Sequence, residues 1–166
     1  MNMSLNQKKL IPRTVLFGNP EKASPLIAHD GKRMSYLAPL NNVLNIWVGT
    51  AGQNDFRPVT KDTDRGITRY FWSEDNRHIL YLQDAGGNEN WRLFSVDVES
   101  GVTRDLTPYE NVQTQILDHD KKFPNELLIA MNRDNPELHD VYHLDLRTCD
   151  LRLIEKNPGN VVGWVV

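Results

Sequence analysis

The chain has 166 residues, enough for one ordinary domain, and its 39% hydrophobic and 25% charged residues are typical of a globular protein rather than a disordered one. Its net charge of −3 argues against a nucleic-acid-binding surface, which usually carries a basic excess. No apolar run approaches the roughly 18–20 residues of a membrane span, and none follows the N-terminal lysines as it would in a signal peptide. Cys149 is the only cysteine, so no intrachain disulfide can form. We therefore predict a cytoplasmic protein.

After a predicted N-terminal arm over residues 1–22, short apolar segments recur in the same order three times. In each unit a first segment precedes a polar turn, and the turn aspartates Asp30, Asp75 and Asp120 lie 45 residues apart. A second segment, a third with an aromatic residue and a closing segment with an arginine follow. The aromatic residues of the third segments, Trp47, Phe94 and Tyr142, are 47 and 48 residues apart. The arginines of the closing segments, Arg57, Arg104 and Arg152, have the same two spacings.

The segments have the chemistry of β-strands. They are short, rich in Val, Ile, Leu and aromatic residues, and bounded by Asp-Gly, Gly-Gly and Pro-Gly turns. Four short antiparallel strands in about 45 residues are the signature of a propeller blade. A β-sandwich is the alternative, but a sandwich has no reason to repeat four strands in register.

We therefore predict an all-β fold, a partial β-propeller of about three four-stranded antiparallel blades plus one strand of a fourth. The predicted blades cover residues 23–62, 63–109 and 110–157, and residues 158–166 are the predicted first strand of the fourth blade, on the pattern VVGWVV. The predicted structural core, which packs within and between blades, consists of Ile27, Trp47, Trp72, Phe94, Leu117, Tyr142 and Trp164.

Several stretches of the sequence point to a particular protein family more specifically than the repeat of about 45 residues does. These stretches are LFGNPEKASP (16–25), HDGKRMSYLAP (29–39), the long segment over 57–108 and the segment over 135–164. They resemble the N-terminal propeller of prolyl oligopeptidase-family serine peptidases, in the dipeptidyl-aminopeptidase and acylaminoacyl-peptidase branch. TolB-like propellers share the weaker Asp-Gly repeat. The resemblance implies a propeller that covers an α/β-hydrolase domain and filters its peptide substrates.

The resemblance carries no catalytic residue onto this chain. Family members place the nucleophile in a Gly-x-Ser-x-Gly elbow, and no serine of the 166 residues lies in such a motif. We therefore expect these residues to be catalytically silent, with no cofactor, and to work with an α/β-hydrolase domain of the parent chain or with a peptide substrate.

Two loops hold the candidate contact residues for substrate or for the hydrolase domain. KDTDRG (61–66) leads into the innermost strand of the second blade and offers Asp64 and Arg65, whose charges could attract peptide termini. GGNENW (86–91) joins the second and third strands of that blade and offers Glu89, Asn90 and Trp91. The alternative is that both are ordinary loops, one solvated and one tightened by glycine.

Other reactive side chains have simpler explanations. His139 and His143 have the spacing of helical zinc ligands, but strand residues four apart lie roughly 13 Å apart, so we predict no metal site. His29, His78 and His119 lie in or beside the repeated turns, and we expect the turn aspartates to cap backbone N–H groups there. Cys149 also lies in a turn and is expected to be a bystander thiol.

A second function stays open, a stand-alone TolB-like interaction propeller that is completed by oligomerisation. Three blades leave strand edges and apolar faces uncovered, so the sequence predicts self-association. A small sugar-binding or metal-binding sandwich would be a third possibility, but no residue pattern favours it.

Overall fold

The chain folds into three four-stranded antiparallel sheets in a computed structural model that describes residues 10–165. In each sheet the strands follow one another in chain order. The only helix in these residues is the five-residue α1, Arg13–Phe17. The predicted all-β partial propeller is confirmed, and each sheet is one blade.

The twelve strands are divided equally among the blades. Blade 1 contains β1 Ala23–Ile27, β2 Arg33–Leu40, β3 Val43–Thr50 and β4 Arg57–Pro58. Blade 2 contains β5 Arg69–Trp72, β6 His78–Gln83, β7 Arg92–Asp97 and β8 Thr103–Asp105. Blade 3 contains β9 Thr114–Asp118, β10 Glu126–Asn135, β11 Leu138–Asp145 and β12 Leu151–Glu155.

The pairing register repeats from blade to blade. The aromatic residue of the third strand faces the middle of the second strand in every blade, in the pairs Tyr36–Trp47, Tyr81–Phe94 and Ile129–Tyr142. In blade 2 this pair stacks its rings with centroids 5.4 Å apart. Cross-strand contacts of this kind are what hold a sheet in register.

Two apolar cores lie between the blades. The first joins blades 1 and 2 and centres on Ile46, Trp72 and Ile79. Trp72 is 3% exposed, and its indole N–H donates a hydrogen bond of 2.9 Å to the hydroxyl of Ser35 in blade 1. The second core joins blades 2 and 3 around Leu93 and Ile129.

The predicted core residues divide into three groups. Trp72 and Tyr142 are buried, while Trp47, Phe94 and Leu117 are half-buried. Ile27 is 60% exposed, so its assignment to the core is wrong. Its neighbour Leu26 packs against the first core instead, because successive strand residues point to opposite faces and an error of one residue exchanges the faces.

The segment predicted as the first strand of a fourth blade forms no strand over residues 158–165. Trp164, its predicted core residue, is half-buried and donates an indole hydrogen bond of 2.8 Å to the carbonyl oxygen of His139. A strand needs a neighbouring strand to satisfy its backbone, and none lies beside this segment in the described residues. The fourth blade therefore stays a prediction.

The turn aspartates cap their own turns, as predicted. The carboxylates of Asp30, Asp75 and Asp120 accept hydrogen bonds of 2.8–2.9 Å from the backbone N–H two residues further on.

No helix within residues 10–165 is long and apolar enough to cross a membrane.

Candidate functional site

The first strand of each blade lies at one edge of its sheet. β1 and β5 are held together by Tyr70, whose phenol O–H donates a hydrogen bond of 2.6 Å to the carbonyl oxygen of Ser24. Burial raises the pKa of Tyr70 to about 12, so the phenol keeps its proton at neutral pH. β5 and blade 3 meet where Phe71 stacks on the His119 ring at 5.2 Å.

The loop between β6 and β7 is built around Asp84. Its carboxylate is almost completely buried and accepts a hydrogen bond of 3.1 Å from the backbone N–H of Glu89. Gly86 and Gly87 have φ values of 60° and 84°, a region that favours glycine. The loop is therefore shaped by its own sequence.

Arg65 joins the two loops that the sequence singled out. Its Nε lies 3.6 Å from Oδ1 of Asp84. A Cβ at Gly87 would lie 2.9 Å from a guanidinium nitrogen of Arg65, so a larger residue there would have to displace the arginine. The guanidinium thus lies across the 84–91 loop and fixes it to the segment that leads into β5.

The other predicted contact residues differ in burial and in hydrogen bonding. Asp64 and Glu89 are exposed. Asn90 is half-buried, and its backbone N–H donates a hydrogen bond of 3.1 Å to the side-chain oxygen of Asn88. Trp91 is half-buried, and its carbonyl oxygen accepts a hydrogen bond of 2.8 Å from the N–H of Thr114. This bond ties the end of the loop to the edge strand of blade 3.

A cavity of about 580 Å³ opens between blades 2 and 3 beside this bond. Trp91 lines it together with residues of β5 and β9, among them Arg69, Phe71 and Ile116. The sequence predicted Trp91 as a contact residue but not the other residues that line this cavity, because most of them come from two edge strands that are more than 40 residues apart in the chain.

Three residues at the same position of the repeat converge elsewhere. His29, Glu74 and His119 each precede the turn aspartate of their blade. Oε1 of Glu74 lies 3.0 Å from Nδ1 of His119 and 3.5 Å from Nε2 of His29. One carboxylate therefore links three blades through two imidazoles, which is a structural role.

The remaining candidates for chemistry are dispersed. His143 contacts Glu126 at 2.9 Å, whereas His139 contacts Gln115 at 3.4 Å and has its pKa lowered by burial. Within residues 10–165 no group of His, Cys, Asp or Glu side chains is arranged to hold a metal ion. Cys149 is a free, half-buried thiol.

Comparisons with known proteins give the chain its relatives. It is 40% identical over 158 residues to dipeptidyl aminopeptidase BIII of Pseudoxanthomonas mexicana, a match that covers 95% of this chain and 23% of that protein. It is 30% identical over 155 residues to dipeptidyl peptidase family member 6 of Caenorhabditis elegans, covering 89% of this chain and 21% of the relative. No family model matches the chain.

A solved structure agrees at the level of the fold. Prolyl oligopeptidase B from Galerina marginata superposes with a TM-score of 0.60 at 17% identity, over 81% of this chain and 20% of the other. The resemblance to prolyl oligopeptidase-family propellers is confirmed. The chain spans less than a quarter of the length of the two curated relatives.

Proposed function

We propose that the chain is a non-catalytic propeller segment of a cytoplasmic serine peptidase, and that it filters peptide substrates for an α/β-hydrolase domain of the parent protein. The observation that carries this proposal is the 40% identity to a dipeptidyl aminopeptidase along 95% of the chain. The relative's name gives the substrate class, peptides. The 166 residues contain no Gly-x-Ser-x-Gly motif, so the hydrolytic chemistry is assigned to another part of the parent protein.

The Arg65–Asp84 contact supports a filtering role for the neighbouring loop. The contact holds the 84–91 loop against the segment that enters β5, an edge strand of blade 2. We propose that a loop fixed at this place limits the access of long peptides. We propose Asp64, Glu89 and Asn90 as its exposed or half-buried contact residues.

The filter is tested in the full-length parent protein with Arg65→Ala. We expect kcat/KM for peptides of about 20 residues to rise relative to that for short substrates, because the loop loses its anchor. Arg147→Ala is the matched control, since Arg147 pairs with Asp145 inside a turn of blade 3, away from this loop. An unchanged ratio of long to short substrates in Arg65→Ala would contradict the filter.

The second candidate function is a stand-alone interaction propeller that is completed by self-association. It is favoured by apolar side chains on the surface, including Ile154 and Val162, which are 43% and fully exposed. Exposed apolar area of this kind favours association by roughly 25 cal/mol per Å² buried. We propose that residues 158–166 begin a fourth blade and contribute to the contact.

Two measurements separate the candidates. A reading frame that continues beyond residue 166 into a Gly-x-Ser-x-Gly motif supports the peptidase segment, and a stop codon supports the stand-alone propeller. Sedimentation equilibrium of the 166-residue chain should give a mass above 19.1 kDa if it self-associates. A monomer at that mass would contradict self-association.

A further inference from the structure

The cavity between blades 2 and 3 has the composition of a ligand site. Its volume of about 580 Å³ falls within the range of about 300–1,000 Å³ that is usual for small-molecule pockets. Phe71, Leu82, Trp91 and Ile116 provide an apolar wall. The space is large enough for more than one side chain of a peptide.

Arg69 is the one positively charged residue among the described residues that line this cavity. Arg69 is exposed and forms no ion pair with any residue between 10 and 165. A guanidinium binds carboxylates through paired N–H donors. The site therefore offers an anion-binding group next to an apolar surface.

The walls of the cavity also offer hydrogen-bonding groups to an extended backbone. β5 and β9 are edge strands, so on one side each has a row of backbone donors and acceptors with no strand partner, of which the N–H of Thr114 already donates to the carbonyl oxygen of Trp91. An extended peptide can add to such an edge while its side chains enter pockets. Thr68 and Gln113 also line this space, and the side-chain amide of Gln113 donates a hydrogen bond of 3.4 Å to the carbonyl oxygen of Glu89.

We propose that this cavity binds the carboxyl-terminal end of a peptide. The apolar side chain of the last residue lies against Phe71 and Trp91, and the terminal carboxylate pairs with Arg69. A free carboxylate is favoured over other anions because the edge strands and Gln113 match a peptide backbone. This inference rests on the proposed function, in that peptides are the substrates, and it specifies which end of the peptide the propeller holds.

The test compares two peptides that differ only in the terminal charge. N-acetyl-Ala-Ala-Phe and its carboxamide are titrated into the 166-residue chain by isothermal calorimetry at pH 7. We expect the acid to bind about tenfold more tightly than the amide, because only the acid can pair with Arg69. Equal affinities, or no binding of either peptide at millimolar concentration, would overturn the proposal.

Variants assign the effect to the cavity. Arg69→Gln should remove the difference between acid and amide, and Trp91→Ala should weaken both peptides. Arg152→Gln is the matched control, since Arg152 is an exposed arginine on β12, the strand of blade 3 furthest from β9. If Arg152→Gln weakens the acid as much as Arg69→Gln does, the attraction is a general charge effect and the assignment is wrong.

Failure of this site is distinguishable from failure of the filter. If the acid shows no preference while Arg65→Ala still alters the ratio of long to short substrates in the parent protein, only the carboxyl-terminal site is refuted. If the acid is preferred and that ratio does not change, the site is supported and the filter is refuted.

Discussion

Arg57 donates a hydrogen bond of 2.6 Å from its guanidinium to the backbone carbonyl oxygen of Val98, and so joins the last strand of blade 1 to the turn after β7. Arg104 does the same 47 residues later, with a bond of 2.6 Å to the carbonyl oxygen of Leu146 in blade 3. Arg152, the third arginine of this series, is exposed on β12. The repeated arginine is therefore a tether from one blade to the next.

We expect Arg57→Met and Arg104→Met each to lower the free energy of unfolding by about 1 kcal/mol, the net contribution of a partly exposed hydrogen bond. Arg152→Met should change it by less than about 0.5 kcal/mol, because no described residue accepts its hydrogen bonds. Urea denaturation measures all three. Equal losses would mean that the arginines act through general charge and not as tethers.

Trp72→Ala should destabilise the chain by about 3–5 kcal/mol, because the large buried side chain between blades 1 and 2 leaves a cavity. Trp72→Phe keeps most of the volume but leaves the fully buried hydroxyl of Ser35 without its donor, so a loss of about 1–3 kcal/mol is expected. Ile27→Ala is the control at an exposed strand residue. Denaturation curves in which Trp72→Ala and Ile27→Ala coincide would refute the inter-blade position of Trp72.

Asp97 should make the chain lose stability in acid. Burial raises the pKa of this carboxyl, but hydrogen bonds from the N–H of Ser100, from Arg77 and from the N–H of Glu99 outweigh it and lower the pKa from 3.8 to about 2. The stabilisation is present above pH 4 and is lost as the pH falls towards 2, because the unfolded state takes up the proton first. Its full size is about 2 kcal/mol.

Asp97→Asn should therefore cost up to about 2 kcal/mol at pH 7 and very little at pH 2. Thermal unfolding between pH 2 and pH 7 measures the difference from the unmodified chain. Asp64→Asn is the control, since Asp64 is exposed and forms no ion pair within the described residues. A cost for Asp97→Asn that does not vary with pH would contradict the assignment.

The 166-residue chain should not hydrolyse aminoacyl or acyl-aminoacyl chromogenic substrates, because it contains no serine elbow and hence no nucleophile of that type. The assay uses freshly purified chain at micromolar concentration. Turnover that persists through further purification and is blocked by a serine-directed reagent would contradict this expectation.

The sequence alone determined the repeat and, through it, the fold class. Strand length, turn residues and capping are local properties, so the spacing of Asp30, Asp75 and Asp120 was sufficient to predict three four-stranded units and the backbone hydrogen bonds of their turns. The face of a strand that enters the core was harder to predict at strand ends. Ile27 shows this, since a shift of one residue exchanges the inward and outward faces.

The contacts between residues far apart in the chain depend on how the blades pack together. Glu74 lies between His29 and His119 although each neighbour is 45 residues away, and Trp91 shares a cavity with Phe71 and Ile116. These distances depend on how far each blade rotates relative to the next, and that angle is set by packing across the inter-blade cores rather than by any local pattern. The periodicity therefore identified the blades, while the candidate site exists only because the edge strands of two blades line one cavity.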